Sequence, residues 1–248
     1  GHAWQLAQAK ALGAERVAVA MSCSLVQRGA LPLLPEAIRT RSALTCGADL
    51  VFALPAPCAC AGAEAFARAG VALLAAAGCD GLVFGAETPD AALLMEAAEL
   101  LDSDSYRAAL KAQLAGGARS FAAARQAAAA QLASDERVAA LLDKPNNNLA
   151  VEYCRAIRSL APRMEAYPLP RQGADHGEAL HSAHGQFASA SALRKLWAEG
   201  GADAVAPYVP EAVFPLYQEA YAAGQYTDFS AAGRCELALL RSACRGKA

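Results

Sequence analysis

Four short apolar runs divide this chain of 248 residues, and the segments between them are long enough for helices. The runs are residues 16–21 (RVAVAM), 50–54 (LVFAL), 81–84 (GLVF) and 164–169 (MEAYPL). A strand that is apolar on both faces needs cover on both faces. Parallel strands also need a helix-length connection to return to the same end of the sheet. Short buried strands alternating with helices therefore read as a parallel sheet wrapped by helices, and the expected class is α/β.

Glycine, proline and capping residues punctuate the helices. Residues 1–12 (GHAWQLAQAKAL) put Ala3, Leu6, Ala7, Ala9 and Leu12 on one helical face, and Gly13 stops the turn. Pro35 suits the first turn of a helix over 36–46 that ends at Gly47. A long helix over 61–77 is stopped by Gly78. Residues 90–142 are alanine-rich and break near Ser103 and at Gly116 and Gly117. Alanine is the strongest helix former, so this stretch reads as a helical insertion packed beside the sheet. Residues 144–148 (KPNNN) read as a loop in which one asparagine caps a helix over 149–160. A further helix follows Ser189, and the register changes beyond Gly200 and Gly201. The expected organisation is an α/β domain over 1–200 and the start of a helical C-terminal region over 201–248.

Composition narrows the function classes. With 55% hydrophobic and 19% charged residues, the chain supports a sizeable core. A formal net charge of −2 offers no global attraction to a polyanion, so any nucleic-acid contact must rest on local patches. No apolar run approaches the roughly 18 residues of a membrane helix. Neither a leader nor a membrane partner is expected, and the expected location is the cytoplasm. The eight cysteines lie in apolar, alanine-rich contexts, which favours reduced buried thiols over a disulfide framework. Cys58 and Cys60 are the one close pair, and their spacing is not that of a metal pair, so no metal ligands are assigned.

Several positions carry possible chemistry. Gly1 and His2 open a helix, whose N-terminus offers unpaired N–H groups and a positive dipole end to a phosphate. A histidine there can donate to phosphate oxygens as charge develops on them; it can equally be a residue near a chain end. Arg28 lies in a loop after a strand, where parallel sheets place ligands, or else on the solvated surface. Gly85 at a strand end permits close backbone approach by a ligand, and serves equally as a turn glycine. Asn146 can meet a base or ribose edge or cap a helix. Ser189 and Ser191 sit at the mouth of a helix with Arg194 one turn inside. Hydroxyls, free N–H groups and a guanidinium there suit phosphates, the alternative being a serine cap beside a solvated arginine.

In order along the chain, these segments resemble the tRNA(Met) cytidine acetate ligase family, nucleotidyltransferase-like proteins of the His-x-Gly-His superfamily. Gly1 and His2 resemble the end of the family's Asn-Pro-Phe-His-Asn-Gly-His motif. Residues 22–29 (SCSLVQRG) are similar to Ser-Gly-Asn-Phe-Val-Gln-Arg-Gly. Arg39-Thr40, residues 47–55 (GADLVFALP), Ala63-Glu64 with Phe66, and residues 84–87 (FGAE) match successive blocks. Pro145-Asn146-Asn147 with Glu152-Tyr153, Arg171 with Gly173-Ala174, and residues 189–194 (SASALR) complete the series.

The resemblance implies a Rossmann-like fold of nucleotidylyltransferase type. It also implies a two-step ligase in which ATP and acetate give acetyl-adenylate and pyrophosphate. The acetyl group then passes to N4 of the wobble cytidine of elongator tRNA(Met). Gly1, His2, Gly85, Asn146 and Arg171 would contact ATP, while Ser189, Ser191 and Arg194 would hold its phosphates. His2 and Arg194 would act catalytically by offsetting charge on the leaving pyrophosphate, with Mg²⁺ assisting.

Some positions depart from the pattern. Cys23, Ser24 and Leu25 replace Gly-Asn-Phe, and Pro35, Glu36 and Ala37 replace an acidic residue followed by Lys-Trp. The strand and first histidine of the opening motif would precede Gly1, so a gap or open edge is expected in the sheet. The tail cations Arg234, Arg241, Arg245 and Lys247 are expected to form part of a tRNA platform. Two other functions fit the same residues: a nucleotidylyltransferase for a small phosphorylated metabolite, and a non-catalytic nucleotide- or RNA-binding remnant.

Overall fold

The computed structural model describes the chain apart from Arg28 and residues 118–119, 172–187 and 246–248, and apart from the side chains of residues 240 and 243–245. In chain order, the elements of the first half are α1 (His2–Ala11), β1 (Ala18–Ser22), α2 (Glu36–Thr45), β2 (Leu50–Leu54), α3 (Ala56–Ala59), α4 (Ala63–Ala76), β3 (Gly81–Ala86), α5 (Ala91–Asp102) and α6 (Asp104–Ala115). There follow α7 (Phe121–Leu132), α8 (Glu136–Leu141), α9 (Pro145–Leu160), β4 (Glu165–Pro170), α10 (Ala190–Val205), α11 (Phe214–Ala222) and α12 (Phe229–Arg245). All four expected strands form, and the insertion breaks where its serine and glycines predict. No helix among the described residues is long and apolar enough to cross a membrane.

The chain forms two compact units. One comprises Ala18–Met21 and Phe52–Arg171; the other comprises Gly1–Val17, Ser22–Val51 and Gln172–Ala248. β1 pairs with β2, and β3 pairs with β4, as two separate two-stranded sheets. The β3–β4 ladder is parallel and runs from Gly81 opposite Glu165 to Ala86 opposite Pro170.

In the unit containing β3 and β4, the long crossover between the strands is the helical insertion followed by α9. Its alanine-rich sequence has little periodicity, yet each helix starts at a side-chain cap. Asp90 accepts from the Leu93 N–H, Ser103 from Tyr106, Ser120 from Ala123 and Asp135 from Arg137. Each such cap contributes about 1 kcal/mol. The core joins Val71, Leu82, Phe84, Leu94, Val151 and Ile157, with buried Ala97, Ala98, Ala128, Ala129 and Ala150. Phe84 packs on Tyr153 with ring centroids 5.3 Å apart, and burial pushes the Tyr153 hydroxyl up to about 12. Glu152, only 3% exposed, takes charge-assisted bonds from Arg125 of α7 and from Arg155 at 2.7 Å. Arg155 also binds Asp102 of α5 at 2.8 Å. The Glu-Tyr pair of the resembled signature is thus a packing element, tying α9 to the insertion and to β3.

In the other unit, Gly13 at φ 99° ends the first helix as expected. The expected apolar face is only partly used, because Ala9 is buried while Leu12 is 51% exposed. Asp49 gathers Lys10 and Arg16, each at 2.9 Å, and the Val17 N–H at 2.8 Å. A second core joins Leu34, Ile38, Trp197, Val205 and Leu216. Gly201, at φ 68°, interrupts α10 where the register change was expected. A Cβ at Gly201 would lie 2.5 Å from the Tyr221 ring, so glycine is required for backbone geometry and for packing alike. The described cysteines are free thiols, but their burial differs from expectation: Cys154 is buried, Cys23, Cys46, Cys58, Cys60 and Cys79 are half-buried, and Cys235 is exposed.

Candidate functional site

The residues singled out from the sequence fall into two groups, one in each unit. In the unit of the β3–β4 pair, Gly85 lies in β3 opposite Leu169 of β4. Just beyond these strand ends, Glu87 and Thr88 meet the first turn of α9. The Glu87 carboxylate accepts from the Asn146 N–H at 3.2 Å, the Asn146 side-chain amide at 2.5 Å and the Asn147 N–H at 2.6 Å. Asn147, 1% exposed, accepts from the Thr88 N–H at 2.9 Å and donates to the Thr88 hydroxyl at 3.1 Å.

This overturns the expectation that an asparagine caps a helix over 149–160. The helix begins four residues earlier, with Pro145 in its first turn, where its missing N–H costs nothing. The asparagines lie inside that turn, and its cap is a carboxylate from the end of another strand. An anion at the positive end of the helix is favoured by the dipole as well as by the bonds. The arrangement extends to Arg171, whose backbone N–H donates to the Ala86 carbonyl at 3.1 Å and whose guanidinium donates to the Asn146 side-chain Oδ1. Glu87, Asn146 and Arg171 thus form one hydrogen-bonded chain at the C-terminal ends of two parallel strands, the position at which open α/β sheets bind ligands.

In the other unit, His2 is exposed in the first turn of α1, after Gly1. The Ser189 hydroxyl caps α10, accepting from the Ala192 N–H at 3.2 Å, and lies 3.0 Å from the Ser191 hydroxyl. Arg194 is half-buried, with its guanidinium carbon 5.9 Å from the centroid of the Phe229 ring. A cation over an aromatic face is held in place without losing its charge. The α10 terminus therefore presents two hydroxyls, the positive end of a helix dipole and a nearby arginine, a set suited to phosphate.

Arg39, from the matched Arg-Thr pair, has a different task. Its guanidinium donates to the carbonyls of Leu34 at 3.0 Å, of Ser22 at 2.7 Å and of Cys23. It clamps the loop after β1 against the residues leading into α2. Four of the six positions that depart from the resembled motif, Cys23, Ser24, Pro35 and Glu36, line a cleft beside this clamp. Arg28, Gly173 and Ala174 lie outside the described residues. Among the described residues, no group of three or more His, Cys, Asp or Glu side chains is arranged to hold a metal ion.

Sequence reasoning matched Glu87 to a motif block without giving it a role. The available signal was Pro145: a proline-started helix lacking its own capping side chain invites a carboxylate from elsewhere. The stacking of Arg194 on Phe229 had no local signal at all.

The family model described as HIGH Nucleotidyl Transferase matches residues 1–242. A tRNA(Met) cytidine acetate ligase from Syntrophotalea carbinolica is 39% identical over 81% of this chain and 48% of its own length. One from Caldanaerobacter subterraneus is 33% identical over 91% of this chain and 56% of its own length. The chain thus spans about half the length of the curated relatives it matches. Among solved structures, Thermotoga maritima TmcAL bound with alpha-thio ATP superposes with a TM-score of 0.80 at 28% identity, covering 91% of this chain and 53% of that one. The apo form of the same protein gives 0.83 at 30% identity, over 91% of this chain and 54% of that one.

Proposed function

Because this chain belongs to the HIGH nucleotidyl transferase family, we propose that it binds ATP and serves an acetate ligase acting on the wobble cytidine of elongator tRNA(Met). The observation carrying this reading is the likeness over 91% of the chain to a protein crystallised with an ATP analogue. The names of the curated relatives supply the acceptor. In this reading residues 1–200 are the nucleotide domain and residues 201–248 begin a helical region that contacts RNA.

A carboxylate oxygen of acetate attacks the α-phosphorus, forming acetyl-adenylate and breaking the bond to pyrophosphate. The N4 amine of cytidine then attacks the acetyl carbonyl, loses a proton, and AMP departs with the electron pair. The chain's own groups hold the reacting parts. Ser189, Ser191 and the α10 terminus receive phosphate oxygens, and Arg194 and His2 offset the charge growing on pyrophosphate. Gly1 and Gly85 allow the nucleotide close to the backbone. Asn146 is engaged by Glu87 and Arg171, so its part is to hold the Arg171 guanidinium toward the nucleotide. Mg²⁺, when bound with the nucleotide, would supply further neutralisation of phosphate charge.

The test is exchange of labelled pyrophosphate into ATP, with and without acetate. The ligase reading requires exchange that depends on acetate; exchange indifferent to acetate refutes it. Arg194→Ala removes charge-assisted bonds of about 1.5–3 kcal/mol, a loss of roughly 10- to 150-fold in ATP affinity by calorimetry. Unchanged affinity would remove Arg194 from the phosphate site.

A further inference from the structure

Arg194 and Trp197 lie three residues apart on α10, so they share one face of the helix. The segment leading into α12 meets both of them. The Tyr226 ring makes an edge contact with Trp197, with centroids 5.7 Å apart. Three residues further on, the Phe229 ring centroid lies 5.9 Å from the Arg194 guanidinium carbon. The two contacts are in step, the inner one buried with Trp197 and the outer one nearer the α10 terminus with its Ser189 and Ser191 hydroxyls. The segment itself is anchored. The Thr227 N–H donates to the Leu33 carbonyl at 2.8 Å and its hydroxyl to the Pro32 carbonyl at 2.6 Å. The Asp228 carboxylate then caps α12, accepting from the Ser230 and Ala231 N–H groups at 2.9 and 3.0 Å. Phe229 therefore stands at the first position of a helix whose start is fixed.

Arg194 differs in what holds it from the other arginines that are withdrawn from solvent. Arg125 and Arg155 are paired with carboxylates, and Arg39 with backbone carbonyls. Among the described residues, no ion pair or hydrogen bond engages the Arg194 guanidinium. A ring face holds a guanidinium through its π-surface and takes none of its five N–H donors. Those donors stay open to an anion, while the long side chain has already given up much of its rotamer freedom. An arginine held by a carboxylate would instead meet a phosphate with its charge already compensated.

We propose that Phe229 is a positioning residue for ATP binding: its ring holds the Arg194 guanidinium near the mouth of α10 with the N–H donors open to the phosphates. The proposal rests on the reading of Arg194 as a phosphate residue. It adds a residue that touches no nucleotide and acts only through Arg194. Because Phe229 opens α12, the contact also joins that helix to the nucleotide site.

A double-mutant cycle on the whole chain tests this, with ATP and adenosine as probes in titration calorimetry. Phe229→Leu removes the ring and keeps an apolar side chain; at 38% exposure the change opens no buried cavity. ATP affinity should fall about two- to fivefold, the span of an exposed cation–π contact. Phe229→Tyr keeps the ring and should retain the parent affinity. Adenosine carries no phosphate, so its affinity should stay unchanged in both variants. With Arg194→Ala already present, Phe229→Leu should have no further effect on ATP. Three results overturn the proposal: Phe229→Leu binding ATP as the parent does, losing ATP and adenosine alike, or losing ATP equally without Arg194. The last two are what a purely structural role produces. The Arg194→Ala variant reports on the underlying reading. Unchanged ATP affinity there removes both, whereas a loss there with none in Phe229→Leu removes the positioning role alone. Pyrophosphate exchange that ignores acetate, with the cycle intact, would sink the ligase reading and leave the positioning role standing.

Discussion

Glu87→Gln perturbs the join between β3 and α9 with almost no change of shape. In the parent, the two carboxylate oxygens serve three donors, at 3.2, 2.5 and 2.6 Å. Glutamine keeps one acceptor oxygen and turns the other position into an NH₂ group. That group must face either the Asn147 N–H or the two donors of Asn146, so at least one charge-assisted bond becomes a donor–donor contact. A hydrogen bond to a charged group contributes about 1.5–3 kcal/mol. Removing a charge from a helix N-terminus costs about 0.3–1 kcal/mol more. The sum is about 2–4 kcal/mol. For 150–250 residues, 1 kcal/mol corresponds to about 2–4 °C in melting temperature, so the transition should fall by roughly 4–16 °C. Far-UV circular dichroism during heating reads it, because α9 and the insertion helices dominate the signal of their unit. A melting temperature within about 1 °C of the parent would show that the Glu87 cap does not hold α9, and the reasoning would fail.

Glu152→Ala should destabilise the same unit by about 3–5 kcal/mol, because Arg125 loses its buried partner while Arg155 keeps Asp102; urea unfolding of the single variant and of Glu152→Ala with Arg125→Leu checks this, the double being the more stable. Asp49 is held well below the usual carboxylate range by Lys10, the Val17 N–H and Arg16, so its stabilisation is present above about pH 4 and is lost as pH falls toward the depressed value. Asp49→Asn should therefore flatten the acid limb of stability against pH, and parallel limbs would refute the role. If α12 contacts tRNA, replacing both exposed Arg234 and Arg241 with alanine should make the salt dependence of binding shallower by a slope of roughly two; an unchanged slope moves the RNA site elsewhere.

What could be read in advance was whatever the chain encodes locally. The strands were legible because runs such as LVFAL at Leu50–Leu54 can be buried in few other ways. The breaks in the insertion were legible because Ser103, Gly116 and Gly117 act on their immediate neighbours, and Gly201 marked a real interruption of α10. The start of α9 was missed because Pro145 was assigned to a turn when it also fits the first turn of a helix. Which use prevails depends on Glu87, 59 residues from Asn146 in sequence. Arg39 was matched to a motif block without a role, and two of the three carbonyls that occupy it, those of Ser22 and Cys23, lie 17 and 16 residues away at the end of β1. In each case the side chain was identified and its partner was not, because the fold chooses the partner.

The two helix N-termini at the candidate sites show how such partners divide the labour. Both α9 and α10 carry the positive end of a dipole and orphan N–H groups, which by themselves attract any anion. At α9 the chain supplies that anion itself, since Glu87 occupies the Asn146 and Asn147 N–H groups. A phosphate arriving there would meet a carboxylate already in place. At α10 the cap is a neutral hydroxyl, which satisfies one N–H and adds no negative charge. The dipole of α10 remains uncompensated by its own cap, and Arg194 lies one turn inside. The closed terminus has its own use: by fixing Asn146, the Glu87 carboxylate orients the side-chain Oδ1 that takes the Arg171 guanidinium. One terminus is thus set to receive negative charge, and the other is spent on holding a cation at the strand ends.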